Sequence, residues 1–220
     1  MNKIEIGRGM HNSLRRGLFL LFFSICFSSQ SQFHHGLDLG INLTSADLMV
    51  DESVESGSSI GFSIGYVAER DFSENLYFRF GVNYVQRAVD AEGLRGFVVS
   101  DEKWGIDGIE IPLNLGYYLN WNNRNYQFFL DAGLNLGYNT RAFIQNEDET
   151  IRLEIGSDGE ISRTTIGANV GAGLLIKSKF KVRLNYYNSL TNIVNTDGNT
   201  WKNKTFSLSL NYFLKEKFDD

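Results

Sequence analysis

IEIPLNLGYYLNW, residues Ile109–Trp121, is the stretch whose reading decides the fold. Its odd positions are Ile109, Ile111, Leu113, Leu115, Tyr117, Leu119 and Trp121, and its even positions are Glu110, Pro112, Asn114, Gly116, Tyr118 and Asn120. Successive side chains of a strand point to opposite sides of the pleat, so this alternation describes a strand with one oily face and one mostly polar face. A tilted strand needs roughly 9–11 residues to cross a bilayer, and this one is long enough. A membrane strand cannot stand alone, because every backbone group must find a partner in a closed barrel.

Working outward, the pattern recurs. Alternation predicts strands over Phe33–Leu43, Ile60–Arg70, Leu76–Ala88, Ile109–Trp121, Tyr126–Ile144, Thr164–Ile176, Phe180–Ile193 and Thr205–Leu214. The connections alternate long and short. Thr44–Ser58, Val89–Asp107, Gln145–Ser162 and Val194–Lys204 are long, and Asp71–Asn75, Asn122–Asn125 and Lys177–Lys179 are short. An eight-stranded antiparallel up-and-down transmembrane barrel in the cell outer membrane has that asymmetry, with tight periplasmic turns and longer external loops. Within the third long connection Ile151, Leu153 and Ile155 alternate ahead of Asp158–Gly159, a hairpin signal that extends the fifth and sixth strands above the membrane.

The rival fold is a soluble lipocalin-like barrel, oily inside and polar outside. The make-up of the polar face separates the two. A water-facing surface is about a quarter or more charged, whereas here that face is mainly Gly, Asn and Ser. Seventeen Phe, ten Tyr and 22 Gly against a single Pro also favour pleated surfaces over helices.

Arg15 and Arg16, the apolar run Gly17–Phe27 and the small polar residues Ser28–Gln32 have the order of a secretory signal peptide. We therefore expect residues 1–31 to be cleaved, after Ser31, and residues 32–220 to form the barrel domain. Met10 is an alternative start. A twin-arginine signal lacks its wider consensus, and lipidation at Cys26 lacks a small residue at Ile25. The full chain carries 21 basic and 26 acidic side chains, net −5. Removing Lys3, Arg8, Arg15, Arg16 and Glu5 leaves 17 and 25, a formal charge of −8, and no cysteine. An acidic chain without a basic stripe excludes nucleic acid as its partner, and the absence of thiols excludes a disulfide framework and a thiol nucleophile.

Aromatic residues fall near the ends of the oily faces, as interfacial girdles do. Tyr117, Trp121, Tyr126, Phe180 and Tyr212 belong to the periplasmic girdle, and Tyr84, Tyr138 and Phe206 to the outer one. Register places Tyr77, Tyr118, Phe129, Tyr187 and Phe213 inside, interleaved with glycines, which suits a filled lumen. Asp38, Arg79, Asp131 and Arg183 share that inward register at similar lower-middle heights. Two negative and two positive charges away from bulk water are expected to pair. Arg87, Glu110 and Arg141 are expected to form a second, wetter group near the outer mouth.

IEIPLNLGYY at 109–118, the Gly171-Ala-Gly173 strand, RLNYYNSLTNI at 183–193 and SLSLNYF at 207–213 resemble the PorT-like outer-membrane barrels of Bacteroidota. The resemblance runs in order along essentially the whole mature chain. It implies a small outer-membrane barrel, and because one member type participates in a protein-secretion apparatus, it adds secretion as a candidate role. The terminal assembly aromatic it implies is Phe213 or Phe218.

Chemistry is sparse. A barrel lipase or acyltransferase needs a hydroxyl activated by a base, usually histidine. The mature chain holds only the adjacent His34 and His35, for which structural or solvated roles are expected. Acidic residues crowd the outward segments: Asp47, Asp51, Glu52 and Glu55; Asp90, Glu92, Asp101 and Glu102; Glu147, Asp148, Glu149, Glu154, Asp158 and Glu160. None keeps the spacing of a calcium loop, so solvated loop tips account for them better than cation binding. Gly171-Ala-Gly173 lies inside a strand, with no helix following to make a phosphate loop. The expectation is a non-enzymatic barrel without cofactor or metal, working through its external loops or supporting the envelope. A secretion-machine subunit and a lipid-modifying enzyme are the alternatives. Outer-membrane lipids and lipopolysaccharide are the expected partners, with envelope proteins as further candidates.

Overall fold

A computed structural model describes residues 33–50, 52–53, 55–95, 98–119, 125–146, 149–196 and 198–215. The expected signal peptide, Trp121, Phe218 and the acidic residues Asp51, Glu147 and Asp148 lie outside them. So do the side chains of Glu52, Glu55, Glu92 and Asp101.

Eight long strands are present among the described residues: β1 Phe33–Val50, β2 Ser59–Asp71, β3 Leu76–Arg95, β4 Val98–Leu119, β5 Tyr126–Gln145, β6 Thr164–Ile176, β7 Phe180–Ser189 and β8 Thr200–Phe213. Each pairs antiparallel with its sequence neighbour. The ring then closes, because β1 pairs β8 from Gly36↔Phe213 to Met49↔Thr200. Closure leaves no long strand with an open edge, which a bilayer requires.

The oily face points out. Leu37, Ile41, Ile60 and Leu184 are 53%, 60%, 74% and 64% exposed, and they sit in a continuous apolar surface around the ring. Asn114, Asn169, Asn211 and Thr205 are buried inside. A soluble lipocalin-like barrel has these faces reversed, and an apolar surface this extensive is stable only against lipid. On β4 the belt runs from Ile109 to Leu119. Ten residue steps of about 3.3 Å, tilted by about 40°, give a height of about 25 Å, the thickness of an outer-membrane apolar band.

Several strands continue well beyond the belt, and there the pattern inverts. On β1 the outward residues change from Leu39, Ile41 and Leu43 to Ser45 and Asp47, while the inward ones change from Asp38 and Asn42 to Ala46 and Leu48. On β8 Phe206 gives way outward to Lys204 and Lys202, and Trp201 lies inside. Above the membrane water lies outside, so oil moves in. The segment Val89–Asp107, expected as a loop, is for this reason a strand hairpin paired out to Arg95↔Val98, with Val89, Ala91 and Ile106 inside. Ile161 and Ile193, from the last two external connections, join Ala46, Leu48, Ala142 and Trp201 in one apolar cluster at the outer mouth. Asp158–Gly159 does sit in a turn, but only Thr150–Arg152 extends the sheet beside β5.

Candidate functional site

The lumen is filled in three levels. At the periplasmic end Val67, Tyr77, Tyr118, Phe129, Leu175 and Phe213 form a fully buried cluster. Room for it comes from glycine: a Cβ at Gly116 would collide with the Tyr77 ring, and one at Gly173 would lie 2.8 Å from Phe129. Lys181 is sealed among these rings, its Nζ 3.9 Å from the centroid of Tyr77 and 4.0 Å from that of Phe129. Its charge is met by Glu69 at 2.6 Å, and the Tyr118 hydroxyl donates to Glu69 at 3.1 Å. A buried ammonium is tolerable when it is both ion-paired and laid against aromatic faces.

The middle level holds the charges that register assigns to it. Arg79 Nη2 lies 2.7 Å from Asp38, which also accepts from Asn83 and Asn211. Arg183 grips Asp131 through three contacts of 2.6, 3.1 and 3.2 Å. Asn114 and the Tyr77 hydroxyl complete that carboxylate at 3.1 and 3.3 Å. The four residues thus form two pairs rather than one continuous belt. Asn114, Asn169 and Asn135 carry the Asp131–Arg183 pair on to Glu110 above, and Arg79 Nε, 3.9 Å from Glu69, joins the Asp38–Arg79 pair to the level below. Higher up, Arg87 forms a two-pronged ion pair with Glu110 while donating to Thr205 and lying over the Tyr187 ring. Four carboxylates, Asp38, Glu69, Glu110 and Asp131, therefore face four cations, Arg79, Arg87, Lys181 and Arg183. A space of about 50 Å³ lies among Asp38, Arg79, Arg87, Glu110 and Arg183, room for a few waters at most.

Arg141 departs from its expected place. It lies on the outer surface with its side chain 51% exposed, 3.7 Å from Asp107. The cause is a β-bulge: Asp107 pairs with Arg141 and Gly108 with Asn139, so Thr140 is an extra residue and inward parity switches from Asn139 to Ala142. The Thr140 hydroxyl fixes the bulge by donating to the Asp107 carbonyl at 3.0 Å.

Glu69 and Lys181 were missed in the sequence although the signal was present. Glu69 shares parity with Ser63 and Gly65, and Lys181 with Arg183. His34 is buried and faces Asp71 at 3.1 Å, and His35 points outward to the Tyr66 hydroxyl. Tyr84, Tyr117, Tyr126, Tyr138, Phe180, Phe206 and Tyr212 are all exposed on the outer face at the ends of the belt. Among the described residues no cluster of three or more His, Cys, Asp or Glu is arranged to hold a metal ion.

The family described as outer membrane protein beta-barrel domain matches residues 27–195. No curated protein matches the sequence. Among solved structures, Neisserial surface protein A is 18% identical, with a TM-score of 0.46 covering 84% of this chain and 97% of that one. The attachment invasion locus protein Ail of Yersinia pestis is 14% identical, with a TM-score of 0.41 over 83% and 99% of the two chains. The outer membrane enzyme PagL is 12% identical, with a TM-score of 0.44 over 80% and 98%. These are likenesses to small barrels and say nothing of activity. With the family match spanning most of its length, the chain belongs to the outer membrane protein beta-barrel domain family and resides in the cell outer membrane.

Proposed function

We propose that this is a small, non-enzymatic outer-membrane barrel that works from its external face, and that within its family it sits with the PorT-like barrels of Bacteroidota. Residues 1–31 serve as a cleaved signal and 32–220 as the barrel. One observation carries the reading: among the described residues, buried clusters fill the periplasmic end of the lumen and the outer mouth, while the strands continue outward into a platform with its own apolar core. Among the described residues the lumen side chains leave little room for a transport pathway, and the buried charges are spent on one another. His34, the inward histidine, is matched to Asp71 rather than to a hydroxyl. The parts left free to meet another molecule are the lipid belt and the external platform. Outer-membrane lipids and lipopolysaccharide are the immediate partners, and envelope proteins are candidates for the platform.

The test is surface crosslinking on intact cells, comparing the parent with a variant whose residues 146–162 are replaced by a four-residue turn. We expect the variant to keep the barrel's heat-shifted gel mobility and lose the external crosslinks. An altered lipid A mass spectrum on deleting the gene would favour a lipid-modifying enzyme. Crosslinking to a defined secretion complex would make the protein a subunit of that machine.

A further inference from the structure

The bulge that turns Arg141 outward also builds a cleft. Tyr138, Thr140, Arg141, Arg152, Leu153 and Arg163 line an open depression of about 690 Å³ on the outer surface of β5. Three arginines from three different segments converge there. Arg163 is held by a bond to the Tyr138 hydroxyl at 3.1 Å and one to the Ile155 carbonyl at 2.7 Å. Arg141 lies over the Phe143 ring, 4.7 Å from its centroid. Arg152 is exposed and pairs across the sheet with Phe143. Asp107 offsets part of the Arg141 charge at 3.7 Å, beyond hydrogen-bonding distance. The Glu160 carboxylate accepts from the Glu154 amide at 2.8 Å and does not line the cleft. Among the described residues, three arginines line the cleft and Asp107 is the carboxylate paired with one of them, which leaves a net positive site on an otherwise acidic protein.

Its height selects the ligand. Tyr138 and Tyr84 end the apolar belt, and the arginines occupy the next level outward, where a glycolipid of the outer leaflet carries its phosphates. Guanidinium forks match phosphate oxygens in two-pronged geometry, and two of these forks are already oriented by Tyr138 and Phe143. We propose that this cleft binds a phosphate of an outer-leaflet glycolipid of the lipid A class, with Leu153 and Ile155 lying against the sugar or the root of an acyl chain. The inference rests on the reading of outer-leaflet lipid as the immediate partner and assigns that contact to one place.

The experiment is a binding titration of the purified protein in detergent micelles, read by native mass spectrometry. The probes are bisphosphorylated lipid A, the same glycolipid without phosphates, and inorganic phosphate as competitor. The parent is expected to hold bisphosphorylated lipid A about tenfold or more tighter than the phosphate-free form. Arg141→Gln/Arg152→Gln/Arg163→Gln is expected to lose that difference. Arg152→Gln alone, at an exposed position, is expected to lose part of it and covers the case in which the triple variant fails to fold. Equal binding of the two glycolipids by the parent, or unchanged discrimination in the variants, would overturn the proposal. Displacement of the lipid by millimolar inorganic phosphate would overturn it too, in favour of a free-anion site. The trimmed variant also lacks Arg152, Leu153 and Ile155 of this cleft, but its external crosslinks and gel mobility are read apart from lipid binding in micelles, so the external-face reading stands or falls separately.

Discussion

Arg183→Met tests the lumen network where its parts are best defined. The substitution removes three contacts to Asp131 and one to Asn169, at 2.6 to 3.2 Å, and leaves a carboxylate whose side chain is fully buried. Breaking a buried pair from one side costs about 3–5 kcal/mol, because the surviving charge is neither solvated nor matched. Asp131 would keep Asn114 and the Tyr77 hydroxyl, and the adjacent 50 Å³ space would admit a water, so the lower end, about 3 kcal/mol, is expected. Adding Asp131→Asn removes the stranded charge and should return most of the loss. The assay is urea unfolding in detergent micelles, followed by tryptophan fluorescence and by unboiled gel mobility. With slopes of about 1–3 kcal/mol per molar urea, the single variant's midpoint should fall by about 1 M or more. A midpoint equal to the parent's would refute the pairing argument. So would a double variant whose loss is simply the sum of the two single losses.

Three further outcomes follow from the same geometry. Gly116→Ala should destabilise by about 1–3 kcal/mol in the same assay, because its methyl would enter the space of the Tyr77 ring. Lys177 and Ser178 carry φ of 49° and 54° in the β6–β7 turn, so Ser178→Gly should raise stability by about 0.5–1 kcal/mol through relief of a left-handed conformation, less the entropy that glycine brings. Arg141→Cys should react with a membrane-impermeant maleimide on intact cells, and deleting Thr140 in that background should abolish labelling by turning position 141 inward.

Much of this was legible in the chain because a barrel has only two environments per strand. Parity alone placed Asp38, Arg79, Asp131 and Arg183 inside and seven girdle aromatics outside, and it held Glu69 and Lys181 as well for a count carried to the strand ends. Parity fails where the physics changes along the strand. Beyond Leu43, Tyr84 and Ile109 the outward solvent is water, so the oily face moves inward, and a template built for lipid reads Val89–Asp107 as a loop. The bulge was hidden for a different reason. Asn139, Thr140 and Arg141 are all polar, so no hydrophobic residue marks the switch, and what creates it is a Thr140 bond to a carbonyl distant in sequence. The arginine cleft depends on that switch and on the fold-back of residues 152–163, neither of which has a periodic signature.

A closed barrel with its lumen filled by its own side chains leaves the external face as the proposed working surface. Conductance of the purified protein in planar bilayers tests it most directly. Layers of aromatic rings and ion pairs around a 50 Å³ gap predict no steady single-channel current across the range of applied voltage. Stable, reproducible current steps from the unmodified protein would contradict it.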